Sequence, residues 1–289
     1  MKTLELLLIT MRPQRWWRYT LVFLPLLFTG DLLNFVYLIK LSVAFIIFAI
    51  LSGSISIIDD IVDFEEDKKD PIKRTLPVAS GELSRERAEF GVAVLLIGAF
   101  TAAYLLGSMF GLVCSGYFFV SLSYFLLLKN YFILDAITVS VEMSLCLIAG
   151  TIAILKPVSP WLLVFVMLLS MLLVFCERKR KLLLDWQKDA PSAAHDGPSG
   201  NFLDSFINLS GPLVLSIYIL YARIGPDGIK YNLIYTVPFV LYGVFRIFYL
   251  TYDLRTAKPL EKQLATDPAT FLNVALWVIL VAVLMRIGA

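Results

Sequence analysis

Long runs of apolar residues, each ended by a short polar stretch, follow one another along almost the whole chain. Many of these runs approach the roughly 20 residues that an α-helix needs to cross the hydrocarbon core of a bilayer. The pattern therefore predicts an all-α membrane protein with about nine transmembrane helices. The candidate spans are Leu21–Gly30 extending toward Val36, Leu41–Ile58, Phe90–Phe110, Leu112–Leu128, Phe132–Leu155, Trp161–Cys176, Phe206–Tyr221, Leu233–Leu250 and Phe271–Met285.

Composition supports this prediction, because 59% of the residues are hydrophobic and the mean hydropathy is +0.80. Nothing in the sequence suggests a second, soluble domain, so we expect one polytopic membrane domain over residues 1–289. Residues 1–19 lack the pattern of a signal peptide. They are predicted to be an amphipathic segment at the membrane interface, with Trp16 and Trp17 at the headgroup level. The net charge of +2 gives no reason to expect a nucleic-acid partner.

Basic residues predict the orientation of the helices. In a nine-helix arrangement, most of the 25 lysines and arginines fall on one side of the membrane. That side is predicted to be cytoplasmic by the positive-inside rule, together with the N-terminus and the active-site face. The polar stretches 59–89 and 177–205 would be cytoplasmic loops that cap the site. The protein would thus be integral to the membrane, most simply a prokaryotic cell membrane.

Four aspartates stand close together where the second apolar run ends: Asp59, Asp60, Asp63 and Asp67. Carboxylates near hydrocarbon cost a few kcal/mol, about 2.5–3.5 on insertion scales, so they usually face a polar cavity, a partner or an ion. If the helix continues, three of them share one face. Mg²⁺ relieves the repulsion among such carboxylates and commonly binds substrate phosphates as well. All four are predicted metal ligands for Mg²⁺. A solvated, acidic helix end is the alternative.

The next stretch is basic and contains Lys73 and Arg74. Cations beside a magnesium site suit a pyrophosphate, whose charge exceeds what one metal ion neutralises. Lys129, after the fourth run, is a further candidate phosphate ligand. The alternative is that these residues only set the orientation of the protein in the membrane.

Two acids lie seven residues apart in the fifth run, Asp135 and Glu142. Both would project to one face of that helix, which indicates a polar cavity rather than contact with lipid. Glu142 could instead form an ion pair with Arg246, which lies inside the eighth run. An arginine there needs Glu142, Asp253 or a substrate anion as its partner.

Four consecutive cations, of which Arg178 and Lys179 are the first two, stand at the end of the sixth run. They could contact lipid headgroups or complete a phosphate pocket. The three cysteines, in apolar runs without metal-like spacing, are predicted to serve packing. The only histidine is His195, so a histidine-based metal site or a Ser-His-Asp triad is not expected.

The aspartate stretch resembles the first motif of the UbiA superfamily of intramembrane prenyltransferases, written N-D-x-x-D-x-x-x-D. Asp59 stands in place of the asparagine, and the three motif aspartates are present. The following KRTLPVASG is similar to the superfamily's R-P-(I/L)-A-S-G segment. More narrowly, the chain resembles the decaprenyl-phosphate phosphoribosyltransferase branch, through Arg12-Pro13-QRWWRYTLVF, the Asp67–Arg74 spacing, the Lys129 to Gly150 segment and Val244-Phe-Arg246. It departs from that branch at Arg18-Tyr19, Glu142 and Cys146, and it lacks the acid of the usual Lys-Arg-x-x-Glu.

The resemblance implies nine helices around a central cavity with polar caps on the cytoplasmic side. It also implies a Mg²⁺-dependent transfer of phosphoribose from phosphoribosyl diphosphate to a polyprenyl phosphate. Asp60, Asp63 and Asp135 are then the predicted catalytic residues. The predicted substrate-binding residues are Arg12, Lys73, Arg74, Lys129, Glu142, Arg178, Lys179 and Arg246.

Two other functions remain open from the sequence. The same aspartates could bind a polyprenyl diphosphate whose prenyl group passes to an aromatic or lipid-headgroup acceptor. Alternatively, Asp135, Glu142 and Arg246 could form the ion path of a secondary transporter, although no internal repeat is visible. The expected partners are an isoprenoid lipid substrate, a diphosphate-bearing donor and membrane lipids, with a homo-oligomer left open.

Overall fold

The computed structural model describes residues 2–69, 73–125, 131–157, 159–187, 200–224 and 233–287. Within these ranges the protein is built of helices joined by short turns and contains no strand. The α-helices are α1 Lys2–Thr10, α2 Leu24–Phe28, α3 Phe35–Val62, α4 Phe64–Asp67, α5 Arg85–Leu106, α6 Ser108–Ser123, α7 Phe132–Ala153, α8 Pro160–Gln187, α9 Gly200–Ile224, α10 Val237–Tyr252, α11 Leu260–Thr266 and α12 Pro268–Ile287. Three 3₁₀ helices cover Pro13–Phe23, Lys73–Thr75 and Leu233–Thr236.

The predicted membrane helices are largely present in the described parts of the chain. Within the described ranges, seven helices are long and apolar enough to cross a membrane, and α6 is a shorter apolar helix. The expected first span, Leu21 toward Val36, is not one continuous helix. Its apolar run is interrupted at Gly30, where φ is +72°, and α3 begins only after Asn34, whose side chain accepts hydrogen bonds from the backbone N–H groups of Val36 and Tyr37.

Parts of both expected cytoplasmic loops are helical. Helix α8 continues to Gln187 and α5 already begins at Arg85, so residues 177–187 and 85–89 are not loop. The prediction assigned charged residues to loops. At the end of α8, the charged side chains instead bind protein groups. Because such pairing offsets the cost of burying a charge, these residues can remain in the helix. His195 and Lys129 lie outside the described residues.

Contacts between Cα atoms divide the chain into two compact units. The first contains Met1–Pro25, Leu33–Lys129 and Leu145–Pro157, and the second contains Leu26–Leu32, Asn130–Ser144 and Val158–Ala289. Each unit is described separately. The single membrane domain inferred from the sequence stays a prediction.

In the first unit, α1 packs against α3 and α5 around a small apolar core. Met11, Ile57, Leu83 and Val92 are buried there, with Trp16 packed against them. The 3₁₀ helix Pro13–Phe23 lies along α3. The beginning of the chain is therefore docked on the long helix that ends in the aspartates.

The second unit is built around the pair α8 and α9, with α10, α11 and α12 beside it. Phe175 and Phe206 stack across the α8–α9 pair, with ring centroids 5.0 Å apart. A buried polar chain joins three elements, because Trp277 donates to the hydroxyl of Tyr218 at 2.9 Å and that hydroxyl bonds Thr236 at 2.6 Å. Pairing these polar groups avoids the cost of leaving them buried without partners.

Large apolar side chains cover the outside of several helices. On α5, Phe90 is 73% exposed and Leu105 is 83% exposed, and on α12 Phe271 is 75% exposed. Water would make such a surface unfavourable, whereas the hydrocarbon of a bilayer would not. This exposure is what a protein embedded in lipid requires.

Candidate active site

The four aspartates lie at a small break in the helical path of the first unit. Helix α3 ends at Val62, Asp63 follows with φ −83° and ψ 10°, and α4 begins at Phe64. The backbone hydrogen bonds continue across the break, since the N–H of Asp63 donates to the carbonyl of Asp59 at 2.9 Å and the N–H of Asp67 donates to that of Asp63 at 2.8 Å. Asp60 is 2% exposed and Asp67 is 3% exposed. Two of the four aspartates are therefore shielded from solvent, which the alternative of a solvated helix end did not anticipate.

Arg12 binds this acidic segment directly. Its Nη2 donates to Oδ1 of Asp60 at 2.6 Å, and its Nη1 lies 3.8 Å from Oδ2 of Asp59. Charged hydrogen bonds of this length are among the stronger interactions in proteins. The sequence predicted Arg12 as a substrate-binding residue; in the structure it already compensates part of the charge of the aspartates.

A glycine allows Arg12 to reach the aspartates. Met11 packs onto Gly53 of α3 so closely that a Cβ there would lie 2.6–2.8 Å from Met11 side-chain atoms. Arg12 follows with φ 52° and ψ 62°, a left-handed conformation that costs a non-glycine residue free energy and is often found at functional sites. The contact with α3 thus fixes the position from which the guanidinium reaches Asp60.

The basic stretch after α4 is anchored by its apolar second half. Val78 and Leu83 are buried in the core of the first unit, and the N–H of Leu83 closes a turn onto the carbonyl of Pro77 at 2.8 Å. Gly81 has φ +82° within this turn, which favours glycine. Arg74 stands just before the turn and is exposed. The side chain of Lys73 and all of Lys129 lie outside what the structure describes.

The oxygen ligands of the acidic segment fit a hard divalent cation. Among the described residues, no three histidine, cysteine or acidic side chains form a group that could hold a metal by themselves. Mg²⁺ does not require one, because it usually takes one or two carboxylates and completes its shell with water and phosphate oxygens. The segment therefore suits Mg²⁺ that arrives with a phosphate-bearing substrate. That the four aspartates of this segment bind the ion stays a prediction.

In the second unit, Asp135 forms an ion pair with Arg178. Asp135 is 5% exposed near the start of α7, with buried Thr138 one turn further, and Glu142 is half-buried on the same helix. The predicted polar face of this helix is thus present. The oxygens of a carboxylate that is paired with one arginine can still accept hydrogen bonds from hydroxyl groups.

The other charges at the end of α8 bind protein groups. Lys179 contacts Asp204 at 2.7 Å and the carbonyl of Gly200 at 3.1 Å. Arg180 is 0% exposed and donates to the backbone carbonyls of Leu250, Asp253, Thr256 and Lys258. Glu177 accepts the N–H of Leu260, at the start of α11, at 2.7 Å. This run joins neighbouring elements of the unit, and a role of Lys179 in substrate binding stays a prediction.

Arg246 does not form the ion pairs that the sequence suggested. It binds Asp267 through two hydrogen bonds of 2.9 and 2.6 Å, rather than Glu142 or Asp253. Asp267 also accepts the N–H of Thr270 at 2.8 Å and so caps the start of α12. The Arg246 hydrogen bond lowers the pKa of Asp267 well below its ordinary value. The sequence did not single out Asp267, although an aspartate directly before a proline-initiated helix is a recognisable capping signal.

An open groove of about 680 Å³ lies at the end of α10. Phe248, Tyr249, Tyr252 and Arg255 line it, and no residue predicted for the site does. Arg255 is compensated by Asp253, at 2.7 Å. Two of its lining residues nevertheless contact predicted substrate-binding residues, since the guanidinium of Arg246 lies 4.8 Å from the ring centroid of Tyr249 and Lys179 lies 5.9 Å from that of Tyr252.

Comparison with known proteins decides the family of this chain. A family model described as the UbiA prenyltransferase family matches residues 14–185, a range that includes the aspartates, Asp135 and the end of α8. The chain belongs to the UbiA prenyltransferase family. It is therefore an enzyme, an integral membrane transferase of UbiA type.

Two similar proteins of known name carry the same description. Decaprenyl-phosphate phosphoribosyltransferase of Mycobacterium tuberculosis is 27% identical over 237 residues, which are 80% of this chain and 78% of that protein. The protein of that name from Mycolicibacterium smegmatis is 30% identical over 177 residues, 60% of this chain and 56% of that one. Within the family, the chain thus resembles this branch.

Solved structures support the fold. A UbiA homologue from Archaeoglobus fulgidus, bound to GPP and Mg²⁺, has a TM-score of 0.68 and 15% identity, with 100% of this chain and 98% of that chain covered. A structure of digeranylgeranylglyceryl phosphate synthase has a TM-score of 0.64 and 15% identity, over 100% of this chain and 96% of that chain. At such identity these likenesses establish the fold of the chain.

Proposed function

We propose that this UbiA enzyme transfers phosphoribose from phosphoribosyl diphosphate to a polyprenyl phosphate and releases pyrophosphate. One observation carries the proposal: the 27% identity to a decaprenyl-phosphate phosphoribosyltransferase extends over 80% of the chain. In the reaction, an oxygen of the acceptor phosphate forms a bond to the anomeric carbon. The bond from that carbon to the diphosphate breaks, and the pyrophosphate leaves with the electron pair.

Asp59, Asp60, Asp63 and Asp67 are the proposed ligands of Mg²⁺. When bound, the ion neutralises charge that develops on the leaving diphosphate. Arg12 holds Asp60 in a fixed position through its 2.6 Å hydrogen bond. Lys73, Arg74 and Lys129 are the proposed contacts of the donor's phosphates, where their charge would add to that of the metal.

Asp135 is the proposed acceptor of hydrogen bonds from the ribose hydroxyls. Its carboxylate is buried and forms an ion pair with Arg178, and carboxylate oxygens are acceptors for hydroxyl groups. A prenyl diphosphate offers no hydroxyl groups near its reacting carbon, and the buried acid therefore supports a sugar donor. The acceptor phosphate is itself an anion, which removes the need for a strong general base.

The family description supports a second candidate, prenyl transfer from a polyprenyl diphosphate to an aromatic or lipid-headgroup acceptor. The same aspartates and cations would then bind the prenyl diphosphate. In either case we propose that the acidic segment and the N-terminus face the cytoplasm of a prokaryotic cell, because most basic residues are on that side of the predicted topology.

Incubation of the purified enzyme with labelled substrates tests the proposal. With Mg²⁺ and a polyprenyl phosphate, we expect label from phosphoribosyl diphosphate to enter the lipid, and a chelator to stop the reaction. Asp60→Asn and Asp63→Asn should abolish transfer, whereas Glu89→Gln, which alters an exposed acid paired with Arg85, should not. Transfer from a prenyl diphosphate with none from phosphoribosyl diphosphate would select the second candidate. Undiminished activity in the chelator would contradict the role of Mg²⁺.

A further inference from the structure

Three arginines are aligned along the N-terminal 3₁₀ helix, and the proposed function gives a role to only one of them. Arg12 precedes this helix of 11 residues, and Arg15 and Arg18 lie within it. A 3₁₀ helix has three residues per turn, so positions three apart lie above one another. Such helices are rarely longer than about four residues. The unusual length therefore keeps Arg15 and Arg18 on one line, whereas an α-helix would rotate them about 60° apart. Arg12 stands just before the helix, in a left-handed conformation.

The line of arginines begins at the acidic segment. Arg12 binds Asp60 at 2.6 Å, and the N–H of Arg15 donates to the carbonyl of Arg12 at 3.0 Å. Arg15 interacts electrostatically with Arg12, Arg18 and Asp59. The cations thus extend from the predicted magnesium ligands along the surface of α3, all within the first unit.

Arg15 is poorly compensated in this position. Its guanidinium has no hydrogen bond or ion pair among the residues that the structure describes, while Arg12 and Arg18 stand on both sides of it. Burial by surrounding atoms, followed by repulsion from these two arginines, lowers the pKa of Arg15, and Asp59 only partly opposes this. The side chain of Arg15 is exposed. An exposed cation that two neighbouring arginines repel is suited to bind an anion.

We propose that Arg15 and Arg18 bind a phosphate monoester next to the diphosphate site. This inference rests on the proposed function, which requires more phosphate groups than the acidic segment and the basic loop would hold. Arginine suits this role because its planar fork can donate two hydrogen bonds to one phosphate. Two sources of the monoester are available in that reaction, the 5-phosphate of the donor's ribose and the phosphate of the polyprenyl acceptor.

Direct binding to the purified, full-length protein tests the inference without turnover. The probes are ribose 5-phosphate and farnesyl phosphate, each compared with its phosphate-free counterpart, ribose or farnesol. Arg15→Gln and Arg18→Gln should each weaken binding of one monoester about tenfold or more, as expected for a lost charged hydrogen bond. Arg15→Lys should bind better than Arg15→Gln but more weakly than the wild type, since it keeps the charge and loses the two-pronged hydrogen bonding of the guanidinium. Arg85→Gln, which removes an exposed arginine elsewhere in the same unit, is the matched control.

The outcomes separate the two sources and also separate this inference from the proposed function. A loss confined to ribose 5-phosphate assigns the arginines to the donor, and a loss confined to farnesyl phosphate assigns them to the acceptor. Unchanged affinity for both probes, or an equal loss in Arg85→Gln, overturns the inference. If phosphoribosyl diphosphate is not a substrate but a monoester still depends on Arg15, only the proposed function fails. Thermal unfolding of each variant identifies any loss of binding that is due to misfolding. If Arg15→Gln misfolds, the affinity of Arg15→Lys for the two monoesters tests the role of Arg15 instead.

Discussion

At the scale of single residues, the sequence located the acidic segment but not most of its partners. The aspartates could be found because their spacing is a local property of the chain. Arg12 and Asp60 are separated by 48 positions, and their contact depends on how closely Met11 approaches Gly53. No pattern of hydrophobic and polar residues contains that information. The acid that pairs with Arg246 was missed for the same reason, because Glu142 and Asp253 were considered and Asp267, which lies beyond α11, was not. A role of Arg246 in substrate binding stays a prediction.

Variants of the ion pair between Asp135 and Arg178 can separate the role of Asp135 in stability from its proposed role in substrate binding. Arg178→Ala leaves a buried carboxylate without its arginine, which typically costs about 3–5 kcal/mol. We expect a clear drop in thermal stability, which the double variant Asp135→Asn with Arg178→Met should largely restore. Donor affinity should stay low in the double variant if Asp135 binds ribose. Wild-type affinity in that variant would remove Asp135 from the site while leaving the ion pair structural.

The ion pair between Arg246 and Asp267 should make the stability of the folded protein depend on pH in the acidic range. The pKa of Asp267 is lowered in the folded protein, so the folded state binds a proton less readily than the unfolded chain. The ion pair therefore stabilises the folded protein above about pH 4, the ordinary pKa of aspartate. This stabilisation is lost as the pH falls below that value. Asp267→Asn should lower the melting temperature at pH 7 and make little difference in strong acid. An equal effect of the substitution at both pH values would contradict this assignment.

At the scale of helices, buried polar contacts extended α8 further than hydropathy predicted. The prediction ended the apolar run at Cys176 because charged residues follow. In the structure, however, Arg180 lies fully buried against the loop after α10, and Glu177 caps α11. Four backbone carbonyls that would otherwise lack a donor are bound by one guanidinium. Such a helix end can be predicted only when its partners are known.

Replacing Arg180 should be far more costly than replacing its neighbour. Arg180→Ala removes the donor of four backbone carbonyls, of which that of Leu250 is buried, and leaves a cavity where the guanidinium was fully buried. We therefore expect a loss of about 3 kcal/mol or more. Lys181→Ala, one position along the helix at an exposed site, should change stability by no more than about 0.5 kcal/mol. Thermal unfolding in one detergent compares the two variants directly. Equal effects would show that charge alone matters at this helix end.

A glycine contact holds the 3₁₀ helix in place. A Cβ at Gly150 of α7 would lie 2.3 Å from the carbonyl oxygen of Val22, whereas one at Gly116 of α6 would meet nothing within 4 Å. Gly150→Ala should therefore displace the 3₁₀ helix, lower the melting temperature and weaken substrate binding. Gly116→Ala should be neutral, or stabilising by up to about 1 kcal/mol, because alanine favours a helix. A normal melting temperature for Gly150→Ala would show that the backbone yields easily at this contact.

At the scale of the whole molecule, hydropathy predicted most of the membrane helices found among the described residues. A run of apolar residues identifies what can lie in lipid, because an uninterrupted helix satisfies its own backbone groups. It does not reveal that the first run is broken near Gly30 into short helices. The orientation of the protein in the membrane depends on charge rather than on apolar length. It stays a prediction, which can be tested by labelling the two ends of one helix.

Helix α5 offers that test, since its 22 residues extend about 33 Å, close to the thickness of the hydrocarbon core. Glu82 precedes it and Ser108 follows it, and both are exposed. The native cysteines Cys114, Cys146 and Cys176 are buried and should react little. In intact cells, a membrane-impermeant thiol reagent should therefore label Ser108→Cys, while Glu82→Cys should react only after the membrane is opened. Active enzyme with the reverse labelling would place the aspartates on the outer face, where a phosphorylated cytoplasmic donor could not reach them.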